Sequence, residues 1–119
     1  MNKYLLIAVF LFPALLPSPT VLAETMDDEI NYLIASVGKD GCRFVRNDRR
    51  YNRGSARAHL RSKWELNAQY VNSTEDFITK IASVSVTTGE PYVVRCRDEE
   101  TIAREWFTQR LFDYRNQSS

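Results

Sequence analysis

CRFVRN at 42–47 and YVVRC at 92–96 are the stretches that decide the fold. Each is a short apolar run of strand character, and each carries one of the two cysteines, Cys42 and Cys96. Two cysteines in an exported chain are most simply joined to each other; two buried free thiols would fit a reducing compartment instead. A bridge closing a loop of about 55 residues stabilises a domain by roughly 4 kcal/mol in the chain-entropy description, a large share of what a small domain has. No C-x-x-C pair is present, so disulfide-exchange chemistry has no support.

Export is read from residues 1–23. Lys3 opens the segment, an apolar run follows from Tyr4 to Leu16, and Pro17, Ser18 and Pro19 precede a small-residue cleavage site after Ala23, with Val21 at the minus-three position. Pro13 breaks the run, which is too short for a bilayer core of roughly 30 Å, so a cleaved signal peptide is expected rather than a transmembrane segment. No cysteine precedes Cys42, and a lipid anchor just after the signal is therefore not expected. Removing 23 of 119 residues leaves 96, enough for one domain with one modest core. That domain is expected over 24–115, with 116–119 a loose tail. Losing Lys3 from 16 basic residues leaves 15 against 15 acidic ones, so overall charge selects no partner.

Between and around the two strands the pattern is helical. Thr25 is a plausible N-cap, and Ile30, Leu33, Ile34 and Val37 form the stripe of an amphipathic helix ended by Gly38. Asp48 to Gly54 reads as a polar loop. A second helix is expected from Ser55 as N-cap to Leu66, with Ala56, Leu60 and Trp64 on one side and His59 and Lys63 on its border. Ser73 caps a third, whose apolar face is Phe77, Ile78, Ile81 and Ala82. Residues 84–87 are ambiguous; if extended, they form a hairpin with 92–96 across a turn at Gly89. In the last helix Asp98 is the expected cap, Glu99 and Glu100 favour the positive end, and Ala103, Trp106, Phe107, Arg110, Leu111 and Tyr114 share a side. The expected fold is α+β: about four helices packed on a two- or three-stranded antiparallel sheet, with one disulfide.

Four motifs in order, FVRN at 44–47, A-x-x-HLRSK from Ala56 to Lys63, EDFITKIAS from Glu75 to Ser83 and TGEPYVV from Thr88 to Val94, resemble the YfeK-like family of small exported bacterial proteins. The resemblance covers most of the mature chain. It implies a Gram-negative periplasmic setting and a domain of unknown function, and it implies no activity. One departure stands out: Asp48 occupies the position where that pattern has glycine after the Arg-Asn pair, which places a tight backbone turn there in question.

Residues 43–63 hold Arg43, Arg46, Arg49, Arg50, Arg53, Arg57, Arg61 and Lys63 against one acid, Asp48. Such an excess suits phosphate or carboxylate groups, with Tyr51 and Trp64 available to stack. The plainer alternative pairs these cations with the acidic stretches at Asp27 to Glu29 and Asp98 to Glu100. The candidate binding residues are Arg46, Asn47, His59, Lys63, Thr88 and Tyr92, each with a structural alternative as a cap, a carbonyl partner or a packed ring. His59 is the only histidine; as a general base it would need Ser55, Ser62, Ser83 or Ser85, and no G-x-S-x-G elbow accompanies any of them. No metal site is expected from one histidine and two bridged cysteines, and no cofactor or nucleic acid is implied. The expected function is a non-enzymatic periplasmic module that binds an anionic envelope component or a partner protein through the basic edge at Arg46, His59 and Lys63. A small hydrolase using His59 and a purely structural envelope protein are the alternatives.

Overall fold

The computed structural model describes residues 20–117, with side chains from Thr25 onward, so most of the expected signal peptide and the last two residues of the expected tail lie outside the described residues. Helix α1 spans Thr20–Ser36, strand β1 Cys42–Arg46, β2 Arg49–Tyr51, helix α2 Arg53–Leu66, and α3 Thr74–Asp76, which runs directly into a π-helical segment at Phe77–Ile81. Strands β3 (Val93–Cys96) and β4 (Glu99–Ile102) lead into α4, Ala103–Gln117, which takes in Asn116 and Gln117. None of the described helices is long and apolar enough to cross a membrane.

The strands form one antiparallel sheet in the order β2-β1-β3-β4, so the α+β expectation holds while the strand count rises to four. Cys42 and Cys96 are direct partners in the β1–β3 register and form the disulfide, with Cα atoms 3.9 Å apart. Phe44, Tyr92 and Val94 project from the inner sheet face into a core completed by Ile30, Leu33 and Ile34 of α1, Leu60 of α2, Phe77, Ile78 and Ile81, and Phe107 and Leu111 of α4. The amphipathic stripe of α1 and the apolar face at 77–82 are buried as expected.

The two strands absent from the sequence expectation both arise from tight turns. Asn47 and Asp48 both adopt positive φ, 52° and 62°, and Arg46 pairs with Arg49 across them. A two-residue hairpin with this backbone matches the natural twist of the strands, and Asn and Asp are the non-glycine residues that tolerate it best. The turn therefore forms without glycine, and 48–54 is turn, strand and helix start instead of a polar loop. Arg97, at φ 57°, makes the corresponding turn between β3 and β4. Consequently Glu99 and Glu100 lie in a strand and not in the first turn of the last helix; Glu100 answers Arg95 across the β3–β4 pair.

Other boundaries move for local reasons. The first helix begins at Thr20, so Thr25 lies inside it instead of capping it. Asn52, not Ser55, caps α2: its side chain accepts the Ser55 amide at 2.8 Å. Ser73 caps α3 as expected, accepting from the Asp76 amide at 3.0 Å. Residues 84–87 form no strand; Val84 makes a single bridge to Pro91, and β3 takes β1 and β4 as its neighbours.

Three helices are tied together at the far end of the molecule by Glu29. Its buried carboxylate accepts from Thr74 at 2.6 Å and from Arg115 Nε at 2.8 Å, and Arg115 also donates to Glu75 at 2.8 Å. Hydrogen bonding from Arg115 holds the Glu29 carboxyl below the usual carboxylate range despite the opposing effect of burial.

Candidate functional site

The arginines of residues 43–63 separate into three groups. Along α2, Arg57 donates to the Ala35 and Val37 carbonyls, Arg53 to the Gly38 carbonyl and Arg61 to the Asn31 side chain. Arg53 and Arg57 close the C-terminal end of α1, where carbonyls lack helical partners and the helix dipole is negative, while Arg61 ties α2 to the side of α1 at Asn31. The expected acidic stretches are not their partners. Glu29 belongs to Arg115, and Glu100 to Arg95.

On the outer sheet face, Arg43 stands directly opposite Arg95, and Glu100 relieves that like-charge contact by bonding Arg95. On the inner face Arg46 stands directly opposite Arg49, and among the described residues no carboxylate bonds either of them. Like charges facing each other across a strand pair are unfavourable. The contrast between the two faces singles out the Arg46–Arg49 pair.

Behind that pair lies a compact polar cluster. Lys63, 8% exposed, donates to the Val84 carbonyl at 2.7 Å and to the Tyr92 hydroxyl at 3.2 Å. The same hydroxyl lies 3.1 Å from Nε2 of His59, while Arg46 donates to the Tyr51 hydroxyl at 3.1 Å. Tyr92 itself is almost wholly buried, its ring edge-on to Phe44. Helical spacing places His59 and Lys63 one turn apart on α2, and strand alternation turns Arg46 and Tyr92 to the same sheet face, so the α2–sheet seam gathers all four.

Arg46 and Lys63 lie close enough for one charge to act on the other, and among the described residues no carboxylate bonds either. Burial, reinforced by the Arg46 charge, pushes the Lys63 ammonium down to about 8. Burial also lowers His59, with Arg46 and Lys63 adding to the effect. The Tyr92 phenol is raised by burial against the opposing pull of Arg46. The Tyr92 hydroxyl accepts from Lys63 and shares a second hydrogen bond with His59 Nε2, whose direction follows the imidazole tautomer. Arg46 Nε is buried with no partner. Such a site favours an incoming negative charge, which would stabilise the charged forms of Arg46, Lys63 and His59.

Four of the six candidate residues, Arg46, His59, Lys63 and Tyr92, are thus brought together. Asn47 and Thr88 are joined to each other, Thr88 Oγ1 donating to Asn47 Oδ1 at 2.9 Å, and pin the 84–91 loop to the hairpin turn. Asn47 lines a groove on the outer sheet face with Arg50, Glu90 and Arg95. Sequence reasoning did not single out Arg49, whose place beside Arg46 depends on the two-residue turn; the Asn-Asp pair between two runs was the available signal. The serines considered as nucleophiles are engaged elsewhere or carry no bond to His59 among the described residues: Ser83 donates to the Ile78 carbonyl and Ser85 accepts from the Thr88 amide.

A disulfide-stapled α+β domain with a cationic seam is the class that the fold and the seam define. The chain belongs to the DUF5329 family of unknown function, whose model matches residues 24–115. No curated protein and no solved structure matches it.

Proposed function

We propose that this is an exported, periplasmic binding module, non-enzymatic, that captures an anionic envelope component or an acidic partner through the seam between α2 and the β1–β2 hairpin. The observation that carries this is the Arg46–Arg49 pair, backed by His59 and Lys63, with no carboxylate bonded to any of the four among the described residues. The half-buried Arg46 and His59 and the exposed Arg49 form the contact layer. Lys63 and Tyr92, both buried, hold that layer in position, and Lys63 supplies charge from behind. The resemblance to YfeK-like exported proteins and the signal-like residues 1–23 support the periplasmic address.

The test is titration of the isotopically labelled protein with phosphate, sulfate and acetate, followed by amide chemical shifts. Saturable shifts clustered at 45–50 and 57–63, lost in R46Q/R49Q with the fold intact, are expected. Shifts absent with every anion would overturn the proposal.

A further inference from the structure

The anion site can be asked which anion it fits. Its contact layer is drawn from three elements, Arg46 on β1, Arg49 paired with it on β2 and His59 on α2. A carboxylate offers two oxygens in one plane and suits a single guanidinium fork. A terminal phosphoryl group offers three oxygens in a tetrahedral array and serves divergent donors. Charge points the same way. Arg46 and Arg49 are permanently charged and Lys63 is charged below about 8, so a carboxylate's single charge leaves most of the repulsion in place. A phosphate monoester brings about 1.5 to 2 negative charges near pH 7. Arg46 Nε is buried without a partner, and the Arg49 side chain makes no hydrogen bond or ion pair among the described residues.

We infer that the ligand group is a terminal phosphoryl dianion, a phosphate monoester, bound between Arg46, Arg49 and His59. This rests on the anion-binding function proposed above. A phosphodiester, with one charge and its bridging oxygens esterified, fits less well. The monoester comes either from a soluble metabolite or from a lipid headgroup.

Calorimetry at pH 7 and fixed salt with glycerol phosphate, inorganic phosphate, dimethyl phosphate and acetate tests the inference on the full folded chain. The first two are expected to bind at least about tenfold more tightly than the last two, a difference of about 1.4 kcal/mol. R49Q, at an exposed position, is expected to erase most of that preference with its melting temperature unchanged or slightly raised by the loss of the Arg46–Arg49 repulsion. Acetate or dimethyl phosphate binding as tightly as glycerol phosphate overturns the phosphoryl assignment while leaving anion binding intact; no binding by any of them removes both. In parallel, vesicles containing phosphatidic acid are compared with vesicles containing phosphatidylglycerol. Retention on the former alone supports a monoester on lipid. Retention on neither, with glycerol phosphate bound, supports a soluble one. Equal retention on both counts against the monoester.

Discussion

The Lys63 ammonium donates to the Tyr92 hydroxyl at 3.2 Å inside the protein, and the nearest charges to it are cationic. A folded-state value of about 8 against an ordinary 10.5 means that the native state resists protonating Lys63. The unfolded chain then binds more protons between these two values, so stability rises as pH increases from 8 towards 10, by at most about 3 kcal/mol before screening. Denaturant melts at pH 7.5, 8.5 and 9.5 should show this rise in the wild type and lose it in K63M. At pH 7.5 the variant is expected within about 1 kcal/mol of wild type, because removing the buried charge offsets the orphaned Val84 carbonyl and Tyr92 oxygen. An equal rise in both proteins would place the alkaline gain on another group.

Glu29 and Arg115 are 86 positions apart and join α1 to α4, so their pair acts on the whole fold. The Glu29 side chain is 7% exposed, and R115M strands it as a buried anion at a cost of about 3 kcal/mol, less where water reaches the site. E29Q/R115M should recover part of that loss. A carboxyl whose folded value is depressed contributes stability above the ordinary 4.5 that disappears as pH falls through the folded value. Acid titration should therefore show a steep loss below pH 4.5 in the wild type and a shallower one in R115M. Matching acid limbs would show that the pair contributes little.

How much of this could be read from the chain alone depended on the range of the signal. Helix stripes such as Ile30, Leu33, Ile34 and Val37 announce themselves within two turns, and the strand pair carrying the cysteines was visible for the same reason. Short hairpin strands were not. Arg49 to Tyr51 spans three residues, too few to show alternation, and Glu99–Glu100 after Asp98 imitates a helix start because acids favour both settings. Likewise, His59, Lys63, Arg46 and Tyr92 could be nominated one by one, but their meeting required the β1–β3 register and the packing of α2 on β1. Arg49 was legible as one of the basic run at 43–63, but its place opposite Arg46 came only with the turn.

That turn supplies a stability prediction of its own. Asp48 holds φ 62°, a region that costs an L-residue roughly 1 kcal/mol and glycine almost nothing. D48G is expected to stabilise the domain by about 0.5 kcal/mol, the relief of strain being partly offset by greater freedom in the unfolded chain. The same substitution leaves Arg46 and Arg49 opposite each other, so anion titration shifts should keep their positions. Destabilisation by D48G would indicate that the Asp48 side chain makes a compensating local bond.

Removing the cross-link tests what the sheet can hold without it. Cys42 and Cys96 are 54 positions apart, and the bridge restricts the unfolded chain by about 4 kcal/mol while adding little to a β1–β3 pair that is already in register at four positions. C42A/C96A should therefore lose about 4 kcal/mol and melt about 20 °C lower, with the sheet register and the Lys63–Tyr92–His59 contacts preserved below the transition. Cys42 belongs to the buried core and Cys96 packs against it, but both lie at the end of the strand pair, so the alanines leave a small void at the core's edge while Phe44 and Val94 at its centre keep their packing. A variant that is unfolded at 25 °C would show that the native stability does not exceed the entropic contribution of the bridge. A variant that melts with the wild type would show that the unfolded chain is restricted by other means.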